Sequence, residues 1–235
     1  MCILLAVQPR RPSPELWLAA NRDEKLDRPW EPPSALVRQP LVFGGRDLVG
    51  GGSWLAVNVT AGFVVGVTNA KLGAPPGVRS RGQLVLAVAA TASLPEAVGL
   101  LGALDLTSYG AFNAIVVDAA TGWRATNMPA PSVALTDEPV IALGNESLDH
   151  PGERVSAAAR RVAALAGDSD EALLSALQAL LADHEGADPL CRHGERYGTV
   201  CSTILTLRGP TLMRYLFAAG PPCTTPFEPT SLPLI

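Results

Sequence analysis

The chain has 235 residues, of which 48% are hydrophobic and 17% charged, with a formal net charge of −4, 22 glycines and 21 prolines. This composition excludes a disordered chain. With no long run of Lys or Arg it also argues against nucleic-acid binding, which needs a basic face to neutralise phosphates. What remains is a globular protein with enough apolar residues for one sizeable core or two small ones, and a small-molecule partner rather than a polyanion.

In chain order, residues 2–8 (CILLAVQ) are apolar and read as a strand. PRRPSPE is a turn signal, and LWLAA at 16–20 reads as the return strand of a hairpin that ends at Asn21–Glu24 (NRDE). Residues 26–40 are Pro-rich with little periodicity and read as a surface loop. Residues 41–70 are punctuated by glycine and rich in β-formers, with strands expected near 53–58 and 61–68 around a turn at Thr60–Gly62. Composition turns helical at 79–92 and again at 94–104, where Pro95 sits near a first turn. Residues 109–128 read as strand, turn at Ala120–Gly122, strand, and 130–145 as two more short strands. Apolar residues at 155, 158, 159, 162 and 165 make a helical stripe over 153–166. A second helix is expected over 168–184 behind an Asp-rich start. Residues 197–217 read as a hairpin turning at Gly209–Pro210, and the tail from Pro221 as irregular. The short connections predict antiparallel pairing. The alternating blocks predict an α+β architecture with stacked sheets between helical layers. No linker or repeat divides the chain, so 1–235 is expected to form a single domain.

The four cysteines (Cys2, Cys191, Cys201, Cys223) include no CxxC pair, and His150, His184 and His193 are scattered. Neither a structural zinc site nor any cofactor is expected on that pattern. The N-terminus lacks the features of a signal peptide, and the apolar run Leu84–Ala92 is too short to span a bilayer. The expectation is a soluble, cytoplasmic protein with no integral membrane segment; oligomeric state is not legible.

Cys2 is the first candidate for chemistry. If Met1 is removed, one residue carries both a thiol, of ordinary pKa about 8.5, and an α-amine of about 7.7–8.0 that can accept the thiol proton. That combines nucleophile and base. The other reading is a small buried residue at a strand start. If 2–8 and 16–20 pair, NRDE lies beside the chain start. Asp23 then accepts a hydrogen bond from the Cys2 ammonium, and Arg22 favours a thiolate by proximity; the alternative is a solvated strand end. Asn69 (GVTNAK) and Asn145 (ALGNES) each end an apolar strand, as turn residues or as oxyanion donors. Asn113, inside an apolar run, reads as structural. FGGRDLVGGGSW lacks a P-loop signature, and its glycines suit tight backbone near a pocket with Trp54 as a wall. Asn21 and Trp54 are the candidate substrate-binding residues. His150 and His193 have no partners at triad spacing.

The segments MCILLAV, LAANRDE, GGRD…GGSWLAVN, GVTN, YGAFNAIVVD, ALGNESLDHPGERV and YGTVCSTILTL, in that order over most of the chain, resemble the NRDE protein family, also called the transport and Golgi organisation protein 2 family. The resemblance implies an N-terminal-nucleophile hydrolase fold, a four-layer αββα sandwich, similar to the choloylglycine hydrolase and penicillin acylase branch. It implies Cys2 as nucleophile, Asp23 as partner of its amine, and Asn69 and Asn145 as oxyanion donors. Arg22 matches less closely, because that branch has its Arg a few positions before the Asp, where this chain has Ala20. A further C-terminal Arg of that branch has no match at Val200 or Cys201, and Arg196 is a weak substitute. The implied activity is amidohydrolysis of a linear non-peptide amide or acyl group. The alternative, from what the family's eukaryotic members are linked to, is a haem- or lipid-handling trafficking protein that keeps the fold without the chemistry.

Overall fold

The structure, a computed structural model, describes residues 2–8, 14–70, 77–165 and 169–232. The chain begins with strands β1 (Ile3–Val7), β2 (Glu15–Lys25), β3 (Trp30–Val37), β4 (Val42–Asp47), β5 (Leu55–Asn58) and β6 (Phe63–Asn69). Helices α1 (Arg81–Ala89) and α2 (Leu94–Ala103) follow, then β7 (Phe112–Val117), β8 (Gly122–Thr126), β9 (Ser132–Thr136) and β10 (Val140–Leu143). Helices α3 (Glu153–Ala163) and α4 (Asp170–Ala182) precede β11 (Tyr197–Arg208), β12 (Thr211–Ala218) and the two-residue β13 (Glu228–Pro229). The turn expected at 9–15 lies mostly outside the described residues, as do residues 166 and 168 at the ends of the two later helices.

The strands form a six-stranded sheet, ordered β10-β1-β2-β11-β12-β13, and a seven-stranded sheet running β3 to β9 in chain order, with antiparallel pairing throughout. Side-chain alternation sorts the residues into layers. Leu4, Ala6, Leu16, Leu18 and Ala20 pack between the sheets with Phe43, Leu55, Val64 and Ile115. The intervening Ile3, Leu5, Val7, Trp17 and Ala19 face Val155, Val162, Leu173 and Leu177 of α3 and α4. On the far side, Leu84, Val85, Val88 and Leu101 of α1 and α2 cover Val65, Phe112 and Val116. Burial on both faces explains why β1 and β2 read as unbroken apolar runs. The result is an αββα sandwich of the N-terminal-nucleophile hydrolase type.

Two sequence expectations are corrected. NRDE is not a strand end, because β2 continues through it to Lys25, paired with β11 from Arg208 to Tyr197. The neighbouring strand supplies the partners that turn-forming polar residues otherwise find in solvent. The Pro-rich loop contains strand β3 at the edge of its sheet, and Pro32–Pro33 coincide with a register shift between Glu31 and Ser34. An edge position with a bulge is where a strand tolerates proline.

The β4–β5 loop approaches the start of α1 closely. Ser53 N–H donates to the Gly82 carbonyl at 3.1 Å. Gly52 has φ +147°, and a Cβ there would stand 2.2 Å from the Gly82 carbonyl carbon. Gly52→Ala is therefore expected to destabilise the protein by about 1–3 kcal/mol through strain and overpacking. The check is a lowered urea midpoint at unchanged slope.

Candidate active site

A cavity of about 510 Å³ opens where the ends of β1, β2 and β6 meet the β4–β5 loop and the N-terminus of α1. Its wall includes Cys2, Arg22, Asp23, Asp47, Trp54 and Asn69, with Arg28, Arg79 and Arg81. Cys2 lies one step before the Ile3–Asn21 pair of the first hairpin. Its thiol donates to the Asp23 backbone carbonyl over 3.6 Å. Burial pushes this thiol above its ordinary pKa, and the Asp23 charge adds to that; the hydrogen bond to the Asp23 backbone and the Arg22 charge pull it back.

Within NRDE, the consecutive residues Arg22 and Asp23 both reach the cavity wall, whereas Asn21 does not. Arg22 belongs to the face of Leu16, Leu18 and Ala20 and enters the cavity between the sheets. Its side chain is 4% exposed, with Nη2 3.5 Å from Asp47 Oδ2. The guanidinium stacks 4.2 Å over the Trp54 ring, and Nη1 makes no hydrogen bond among the described residues. Asn21 has the opposite parity. Its Nδ2 donates to the carbonyls of Leu181 and Leu190, both at 2.9 Å, and its Oδ1 accepts from Ser202. Asn21 thus ties β2 to the end of α4 and is not among the residues of the cavity wall.

Asp23 is buried. Thr199 donates to its Oδ1 at 2.7 Å, the Tyr197 hydroxyl to its backbone carbonyl at 2.7 Å, and Arg192 Nε stands 3.8 Å from Oδ2. The β11 register shifts between Thr199 and Cys201, directly beside this group. Burial raises the Asp23 pKa, against the opposing pull of the N-terminal ammonium first, then of Thr199, Arg154 and Arg192. Asp47 goes the other way. Burial raises it, but the Gly50 and Val49 N–H groups and the Arg28 guanidinium outweigh that and hold it below the ordinary carboxylate range. One cavity therefore holds two carboxylates shifted in opposite directions.

The two asparagines also separate. Asn69 closes β6 and lies on the cavity wall. Asn145 is buried behind it and donates from Nδ2 to the Asn69 carbonyl at 2.5 Å. It is not on the cavity wall. Asn113 donates to the Glu146 carbonyl at 2.7 Å and shapes the same turn. Arg196 lies with Lys25, Glu195 and Tyr197 at a different depression.

Sequence reasoning missed Asp47, Arg79, Arg81, Arg192, Tyr197 and Thr199. Arg79 and Arg81 stand in RSR, where Ser80 caps α1 and Arg81 begins it, and that clustering was the available signal. Arg81 donates to the Ala111 carbonyl at 3.0 Å, and burial lowers its pKa. The metal expectation also meets a different arrangement: Cys191, His193 and Cys223, scattered in sequence, bring their ligand atoms within 4.8 Å of one another. Among the described residues, no helix is long and apolar enough to cross a membrane.

Comparison with known proteins agrees with this architecture. No curated protein matches the chain. Among solved structures, a Caenorhabditis elegans N-acylethanolamine-hydrolyzing acid amidase ortholog superposes with a TM-score of 0.60 over 87% of this chain and 92% of that one. At 14% identity the likeness is one of fold. The family description Transport and Golgi organisation 2 matches residues 1–216, and the chain belongs to that family.

Proposed function

We propose that this protein is an N-terminal-nucleophile hydrolase in which Cys2, once whatever precedes it has been removed, cleaves the C–N bond of a linear, non-peptide amide. The observation that carries the reading is the seating of the Cys2 thiol against Asp23, at a cavity wall that also holds Asn69. With Cys2 terminal, its α-amine takes the thiol proton and the thiolate attacks the substrate carbonyl. The Asn69 side chain is the donor suited to the developing oxyanion, an effect worth roughly 3–4 kcal/mol per donor. Asn145 serves it by holding the Asn69 carbonyl. The ammonium returns its proton to the leaving amine, a thioester forms, and water attacks it under the same amine to release the acid. Asp23 keeps the amine in place, and Thr199 and Tyr197 keep Asp23 in place.

The wall supports a substrate with an anionic group. Arg28 is matched by Asp47 at 2.9 Å and Glu24 at 3.7 Å, whereas Arg79 stacks on Tyr109 at the cavity rim. Arg79→Ala is expected to raise KM about tenfold with kcat little changed, the value of a charged hydrogen bond made equally in ground and transition states. A haem or lipid carrier would need a mainly apolar wall, and the large apolar residues here are Val49, Trp54, Val67 and Val78 among many charged ones.

The test uses protein whose N-terminus has been verified by intact mass. A panel of N-acyl amides and activated esters is expected to add one acyl group at Cys2 and to turn over. Protein that retains a residue before Cys2 is expected to do neither. No adduct from processed protein, together with a Soret shift on haem addition, would replace this reading with the carrier.

A further inference from the structure

The segment after α4 and the C-terminal tail meet at a second cluster, away from the Cys2 cavity. Cys191 Sγ lies 3.5 Å from Cys223 Sγ, and His193 Nε2 lies 3.0 Å from Cys223 Sγ and 3.9 Å from Cys191 Sγ. Both cysteines are free thiols. Among the described residues this is the one group of three His, Cys, Asp or Glu ligand atoms gathered so closely.

The separations suit a tetrahedral ion. With Zn–S of about 2.3 Å and Zn–N of about 2.0–2.1 Å, tetrahedral geometry places sulfurs about 3.8 Å apart and sulfur and nitrogen about 3.6 Å apart. The three distances scatter about those values. A disulfide would require sulfurs at about 2.05 Å and leave the imidazole without a function in the cluster.

Backbone hydrogen bonds hold the ligand-bearing segments in place. Cys191 N–H donates to the Asp183 carbonyl at 2.8 Å, and Arg192 and Thr199 exchange bonds at 2.9 Å. In the tail, the N–H groups of Thr224 and Thr225 share the Pro221 carbonyl at 3.0 and 2.9 Å, fixing the turn that carries Cys223. The His184 ring meets His193 edge to face at 5.9 Å.

We propose that Cys191, His193 and Cys223 form a binding site for a thiophilic divalent ion, Zn²⁺ being the type, which pins the C-terminal tail to the segment leading into β11. Two thiols lose their protons to solvent as the ion binds, and the neutral imidazole gives its Nε2 lone pair. The fourth tetrahedral position is left to solvent. Arg192 lies between two of the ligands, with its Nε 3.8 Å from Asp23 Oδ2. Ion binding therefore also fixes the arginine that faces Asp23. The proposal does not depend on the reaction assigned to Cys2.

Cobalt reports on such a site directly. Reduced, chelator-stripped full-length protein titrated with Co²⁺ is expected to develop thiolate-to-cobalt charge-transfer absorption and the visible bands of a tetrahedral ion, saturating at one equivalent. Zn²⁺ should bleach both and raise the melting temperature. Cys223→Ser and His193→Ala, at the half-buried and exposed positions, should each weaken Zn²⁺ by more than the roughly 10–100-fold cost of losing an outer-shell partner. Their urea midpoints without metal should stay near that of the parent. Cys2→Ala should bind as the parent does, which separates this site from the nucleophile. The proposal is overturned if the bands are absent, if they survive Cys223→Ser, or if Cys191 and Cys223 form a disulfide in a glutathione-buffered reducing mixture while the reduced protein takes up no ion.

Discussion

Cys2→Ala is expected to abolish the covalent acyl adduct and to reduce hydrolysis by about 10³-fold or more. The magnitude follows from removing the atom that forms the bond, leaving only binding and oxyanion stabilisation, which by themselves give weak catalysis. Substrate binding should survive, because the methyl group occupies less of the cavity than the thiol and leaves Arg22, Arg79 and Asn69 in place. The measurement is intact mass after mixing with substrate, paired with a binding isotherm. A rate equal to that of the parent would end the assignment of Cys2. Cys2→Ser is a sharper comparison: a hydroxyl gives up its proton far less readily than a thiol, so an adduct, if seen, should form more slowly.

Asp23→Asn separates stability from activity. Burial raises the pKa of Asp23 in the folded protein despite Thr199 and the arginines. The sign follows from proton linkage. Below the ordinary carboxylate pKa of about 3.9 both states are protonated and the group contributes nothing. As pH rises from the ordinary value to the raised folded value, the unfolded state ionises first and gains on the native one; above the folded value the penalty is complete, so at neutral pH the carboxylate is a net burden. Asparagine removes that burden and keeps an oxygen for Thr199. In protein that retains a residue before Cys2, Asp23→Asn should therefore raise the melting temperature at pH 7, and the gain should fade as pH falls toward the ordinary range. In processed protein the Cys2 ammonium sits beside the carboxylate and favours its charge, so the gain should shrink or reverse. Activity should fall by about 10²–10⁴-fold, the usual contribution of a correctly held proton-transfer group. Equal melting shifts in processed and unprocessed protein would show that moving the ammonium onto Cys2 does not strengthen its hold on Asp23.

Much of this architecture is carried by consecutive residues. The alternating and unbroken apolar runs at 2–8, 53–68 and 109–128 give strands, and the 3.6-residue stripe at 153–166 gives a helix, because each period is written locally. The Pro-rich segment 26–40 misleads for a physical reason: Pro32 and Pro33 rule out a regular central strand, yet an edge strand with a bulge accepts them. NRDE reads as a terminus because its polarity implies solvent. In the structure its partners come from β11, where Thr199 reaches Asp23 across 176 residues of sequence and Ser202 reaches Asn21 across 181.

Element order, the layered α+β class, the family resemblance and the candidacy of Cys2, Asp23 and Asn69 are all legible in consecutive residues. Packing between distant elements sets which members of one tetrapeptide line the cavity: Arg22 and Asp23 do, while Asn21, on the same face of β2 as Asp23, is held by Leu181, Leu190 and Ser202. That packing placed Asn145 behind Asn69, with its amide on the Asn69 carbonyl. It lined the cavity with Arg79 and Arg81, and it gathered Cys191, His193 and Cys223 from two segments 30 residues apart. Periodicity records what each residue does for its own element. Meetings between distant elements are set by how the sheets stack and where their ends converge, and no local pattern encodes them.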